Sequence, residues 1–171
     1  MNSFRLVLWC LLVFPASVFS RDADVDRIRA WLESYIGAWK GEVVVEDADG
    51  TELRRFPVAA EYWREGEGVR ALTAFEIDGR MTFVEARNYT RNGLLFADVT
   101  QGGETVVYRG YLGPEELLWV PYDAELSTER RMKEWFAEED GKEILHVEGL
   151  ERLTSEKGKA VVRLRARMER R

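Results

Sequence analysis

The hydrophobic pattern along this chain changes period once, near residue 37. Before that point Val25, Ile28, Leu32, Tyr35 and Ile36 recur at helical spacing, which predicts a helix over 22–35 with Asp22 or Asp24 available to cap its first turn. Gly37 ends the stripe, as glycine often does just past a helix C-terminus. Beyond it the period is two. The alternation is clearest at the end of the chain, where Ala160, Val162, Leu164, Ala166 and Met168 face one way and Arg163, Arg165 and Arg167 the other. One dry face and one wet face is the signature of a sheet with a single buried side.

Turn signals punctuate the alternation at strand-length spacing: "DADG" at 47–50, "REGEG" at 64–68, "DG" at 78–79, "RNG" at 91–93, "QGG" at 101–103, "GPEE" at 113–116, "EDG" at 139–141 and "SEKGK" at 155–159. Between them strands are predicted at 39–46, 52–63, 69–77, 81–90, 94–100, 104–111, 117–122, 130–138, 143–153 and 160–170. The segment 125–136, "ELSTERRMKEWF", also suits a helix begun by Ser127. The hairpin reading of "EWFAEEDGKEILHVEG" about Asp140-Gly141 favours a strand there. Turns this short join antiparallel neighbours in a meander. About ten strands in one open sheet would leave two exposed edges, and closure removes them. The expected fold is therefore all-β: an antiparallel up-and-down β-barrel of about ten strands with an N-terminal capping helix.

Residues 1–20 change the picture of where this barrel works. "MNSFRLVLWCLLVFPASVFS" has one positive charge, Arg5, then a short apolar run and small residues, with Val18 and Ser20 suited to signal-peptidase pockets. The run is too short for a bilayer span, and bulky Trp9 before Cys10 argues against a lipoprotein signal. The expectation is a signal peptide over 1–20, cleaved before Arg21, and one domain over 21–171 that is secreted or periplasmic and not stably inserted in a membrane. Cleavage removes the only cysteine, so packing alone must hold the exported domain. The net charge of −6 is interspersed along the chain, which argues against nucleic acid as a partner.

A helix, then Gly37-Ala38-Trp39 opening the first strand, then a meander ending in an Arg-rich strand resembles the calycin superfamily, which includes lipocalins, fatty-acid-binding proteins and nitrobindin-like barrels. The resemblance implies that Trp39 closes the barrel floor and that an arginine near the end of the last strand lies across it. Closure supports the same placement, because the last strand of an even meander pairs antiparallel with the first. Trp39 then neighbours Met168, with Arg167 or Arg170 within reach of its indole for a cation–π contact. Nitrobindin-like barrels bind haem through a histidine in a segment reading approximately His-Leu-x-Ala-x-Leu. Here the nearest match is "RLRARM", with Arg163 in the histidine position, so neither haem nor another cofactor is expected.

Little else carries chemistry. His146 is the only histidine, in "EILHVEG", and shares a strand face with Glu148. No zinc-ligand set, G-x-S-x-G or phosphate-cradling loop is legible. Asn88-Tyr89-Thr90 is a glycosylation sequon. Aromatics are plentiful, and alternation puts Tyr62, Phe75, Phe83, Tyr108 and Trp119 on inward faces, with Glu85 and Arg87 on the face of Phe83. The expected function is binding of a small apolar or amphipathic molecule inside the barrel, without catalysis, by Tyr62, Phe75, Phe83, Glu85, Arg87, Tyr108, Trp119 and His146. Two rival readings stand beside it: a solid barrel serving as a protein-interaction module outside the cytoplasm, and an enzyme using Glu85, His146 or Glu148.

Overall fold

The structure, a computed structural model, describes residues 21–155 and 158–171, and side chains at 24–152 and 160–171. The expected signal peptide at 1–20 and the centre of the 155–159 turn lie outside the described residues. Helix α1 (Arg21–Tyr35) leads into β1 (Gly37–Glu46), β2 (Glu52–Glu65), β3 (Gly68–Ile77), β4 (Arg80–Arg91), β5 (Leu94–Gln101), β6 (Glu104–Leu112) and β7 (Leu117–Pro121). The short α2 (Ala124–Ser127), β8 (Arg130–Glu139), β9 (Lys142–Ser155) and β10 (Gly158–Arg170) complete the chain. Each strand pairs antiparallel with the next, and β1 pairs with β10, so the sheet is a closed ten-stranded barrel. This is the all-β meander that the alternation predicts.

Local chemistry explains the hairpins. Asp78-Gly79, Asn92-Gly93 and Asp140-Gly141 each place both turn residues at positive φ, at 52° and 72°, 55° and 75°, and 53° and 73°. That is the type I′ geometry whose twist matches paired strands, and Asx-Gly is its preferred sequence. The segment 125–136 divides. β7 and β8 pair only through Leu117↔Glu134, Leu118↔Lys133 and Trp119↔Met132, and beyond Trp119 they separate around α2. Asp123 caps α2, its carboxylate accepting from the backbone N–H of Glu125 and Leu126 at 2.9 and 3.1 Å. The strand expected over 130–138 follows. At the other end of the chain Asp22 and Asp24, the expected caps, both lie within α1.

The inward rows of the strands form one apolar cluster with the buried face of α1, where Ile28, Leu32 and Tyr35 point into the barrel. α1 sits at the end where β1 begins: Arg27 donates to the Gly113 carbonyl at 2.7 Å, and Arg64 near the end of β2 pairs with Glu33. Large side chains such as Trp39, Leu95, Leu117 and Leu145 are fully buried, each contributing roughly 1.5–3 kcal/mol relative to exposure.

Register overturns one face assignment. Phe83 pairs with Ala74 and Glu85 with Leu72, on the outer wall, so Phe83, Glu85 and Arg87 point to solvent rather than into the barrel. Phe83 is 53% exposed. The inward row of β4 is instead Thr82, Val84, Ala86, Asn88 and Thr90, a set too small and polar to announce itself against the outward Phe83 and Tyr89. Asn88 is buried in that row, so the folded barrel does not present its amide to a glycosylating enzyme.

Candidate functional site

The barrel interior has two unlike ends. At the α1 end the residues close over one another. Gly37 takes a φ of 129°, which turns the chain from helix into wall, and the Arg170 guanidinium occupies the space where a side chain at Gly37 would begin. Trp39 is 1% exposed and donates its Nε1–H to the Tyr35 carbonyl at 2.7 Å. The Arg170 guanidinium lies 4.4 Å from the centre of its indole ring, and the same group donates to the carbonyls of Ser34 and Ile36. Those oxygens end α1 and lack partners within the helix, so a cation there also meets the negative end of the helix dipole. Arg170 is therefore the arginine that covers Trp39. Arg167 is not, because it faces outward and binds Glu139 at 2.6 Å.

Above Trp39 lies a buried polar group that the expectations missed. Glu134, 8% exposed, accepts hydrogen bonds through Oε2 from the Tyr35 hydroxyl and from Trp119 Nε1 at 2.9 Å. Trp31 Nε1 donates to the Tyr35 oxygen at 3.2 Å, and Tyr62 stacks on Tyr35 with ring centres 5.1 Å apart. Room for Trp119 comes from Gly110, where an added Cβ would meet the indole and Leu95 at 2.8 and 2.7 Å. Burial raises the Glu134 carboxyl above its ordinary range, against the two hydrogen bonds that pull it down. Burial also pushes the Tyr35 hydroxyl well up, and the adjacent carboxylate adds to the effect; Tyr62 is raised by burial and then by Glu134. The signal for Glu134 was present in the sequence. Met132, Glu134 and Phe136 alternate inward, and a carboxylate in that row must find donors.

Away from α1 the same inward rows become wet. Along β3 the buried Val69 and Ala71 give way to half-buried Thr73, Phe75 and Ile77. The change repeats on β1, β4, β5, β6, β8, β9 and β10, ending in Val45, Val84, Val99, Val106, Met132, Gly149 and Leu164, whereas Phe56 on β2 and Pro121 on β7 stay buried. At the far rim Arg130 binds Glu151 at 2.8 Å, with the two side chains 42% and 39% exposed although both belong to inward rows. Burial raises the Tyr108 hydroxyl pKa, and the nearby Arg130 pulls it down. The far half of the lumen is thus an apolar wall that water reaches, with one charged pair and one phenol at its mouth.

The sequence-based candidates divide accordingly. Tyr62 and Trp119 belong to the closed end, and Phe75 and Tyr108 line the wet half. His146 is on the outer wall, stacked on Trp135 at 4.9 Å and 7° and bonded to Glu139 at 2.8 Å. Glu148 is beside it but faces Lys133, and Glu85 on β4 binds Arg70. Glu85 is thus apart from the other two groups of the enzymatic reading, and His146 and Glu148 share an outer groove but are each bonded to a different partner. The lining residues missed by sequence were the aliphatic ones, Val45, Val84, Val99 and Leu164, which alternation marks as inward without marking as wet. The barrel and its single N-terminal helix are compatible with a calycin-like fold. Compared with known proteins, the chain matches no protein-family model and no curated protein.

Proposed function

We propose that the exported form of this protein is a calycin-like carrier that holds a small apolar or amphipathic molecule in the half of its lumen remote from α1, without chemistry on it. The observation that supports this reading is the passage of the inward rows from buried to half-buried away from α1. Apolar side chains that face inward and still meet water gain when a ligand displaces that water. Arg130, Glu151 and Tyr108 at the mouth suit the polar head of an amphipathic ligand, and the apolar wall suits its tail. α1, locked by Trp39 and Arg170, serves as the floor of the cup.

Native mass spectrometry of the protein purified from its own host tests the reading. A co-purified molecule of a few hundred daltons is expected, lost when Val99 is replaced by Trp to fill the cup. Mass of the bare chain alone, together with no saturable uptake of an apolar fluorescent dye, would exclude the carrier.

A further inference from the structure

The outer wall opposite the lumen carries a second feature. Across β7 to β10 a groove of about 480 Å³ on the outer face is lined by the leucines Leu118 and Leu150 and by four cations, Arg131, Lys133, Arg163 and Arg165. Two carboxylates share it. Glu148 lies 3.6 Å from Lys133, and Glu46 pairs with Arg165, although register sets it opposite Arg163. Two of the four cations are thereby matched and two are left. Among the described residues the guanidinium groups of Arg131 and Arg163 have no partner. Both are exposed, and both stand opposite Leu150 in register, one on each side of it. Their backbones are two strand spacings apart, roughly 10 Å, a gap that two arginine side chains close easily. An adjoining groove of about 240 Å³ shares Arg131 and Leu150 and adds Arg152, also exposed.

A protein of net charge −6 that leaves two neighbouring arginines unmatched over a leucine floor presents an anion site with an apolar side. We propose that this groove binds a phosphate group carried on an apolar body, with Arg131 and Arg163 on the phosphate and Leu118 and Leu150 under the rest. A tetrahedral phosphate offers three oxygens to two guanidinium forks, whereas a carboxylate fills only one. The site is separate from the lumen, since its cations point out from the wall whose inner face is Met132, Gly149 and Leu164. The same phosphate chemistry is found on a soluble phosphate ester and on a lipid head group.

Backbone NMR titrations of the full chain distinguish them, with inorganic phosphate, n-octyl phosphate below its micellar concentration and phosphatidylglycerol vesicles as probes. Octyl phosphate should shift the amides of Arg131, Leu150 and Arg163 saturably and bind at least about tenfold more tightly than inorganic phosphate. Arg131→Gln and Arg163→Gln should each weaken it by about tenfold, the scale of one charge-assisted contact. Arg55→Gln, an exposed arginine on β2, should leave it unchanged. Vesicle broadening that disappears in the double variant assigns the lipid head group; octyl phosphate binding without vesicle binding assigns a soluble ester. Non-saturable shifts, shifts confined to lumen residues such as Phe75 and Val99, or equal weakening by Arg55→Gln would overturn the site.

Discussion

The two ends of the lumen are built from the same alternating strands and differ in what their inward positions hold. The α1 end is filled by rings: Tyr35 meets Tyr62 and Phe136, Phe136 meets Trp31 and Trp39, and the carboxylate of Glu134 joins Tyr35 to Trp119 through two donors. The far end mixes the aliphatic Val45, Val84, Val99 and Leu164 with the rings of Phe56, Phe75 and Tyr108, and most of its inward side chains are only half-buried. A ten-stranded barrel encloses more volume than an eight-stranded one. Aromatic rings and a helix complete one half, and the other half is covered less closely. The first end holds the fold, and in the proposed function the second end holds the ligand.

Substitutions can break that division, beginning with the largest expected effect. Trp39→Ala should destabilise the protein by about 3–5 kcal/mol in urea titrations, as for other buried aromatic truncations. A loss below about 1 kcal/mol would mean that the closed end does not hold the fold. Glu134→Leu should cost about 2–4 kcal/mol, because it strands the Tyr35 hydroxyl and the Trp119 indole N–H away from water. Both effects should appear without direct loss of ligand contacts. Phe75→Ala, on the wet side, should cost only about 1–2 kcal/mol, since less apolar surface returns to water, yet it should weaken dye uptake markedly. Equal stability losses for Trp39→Ala and Phe75→Ala would erase the distinction between the ends.

The smallest effect is a pH dependence located at the closed end. Glu134 has a raised pKa in the fold, so the native chain holds its proton where the unfolded chain has released it. Its contribution disfavours folding near neutrality, and the disadvantage fades as pH falls through the folded pKa toward the ordinary value of about 4.3. Glu139 and Glu52 act in the opposite sense. Arg167 lowers the first and Arg55 the second, so their contributions are lost as pH falls through the folded values. Comparing Tm of the parent protein and of Glu134→Gln across roughly pH 8 to 4.5 isolates the buried carboxyl. The parent should gain on the variant as the solution is acidified; parallel curves would mean that Glu134 is not desolvated.

The architecture was legible because each hairpin carries its own instruction. Asp78-Gly79, Asn92-Gly93 and Asp140-Gly141 name their turn type, and alternation then counts the strands. The floor was legible as well, since closure alone brings Trp39 beside the end of β10, although only the folded geometry distinguishes Arg170 from Arg167. The face of β4 was not. Its bulky residues lie outside and its inward row is Thr82, Val84 and Ala86, so size misled where register decided. The wet half was also beyond reach, because period two tells which way a side chain points and not how much empty space lies in front of it.

Arg170 has a further consequence, in time rather than in space. It binds a carbonyl 134 residues earlier in the chain, and the strand that bears it supplies the seam with β1. Neither the floor nor the last edge can form until β10 is present. Until then the emerging chain holds hairpins and an open sheet with two unpaired edges, and contacts this distant in sequence form slowly. A barrel whose lock is in β10 stays unclosed until that strand has been made.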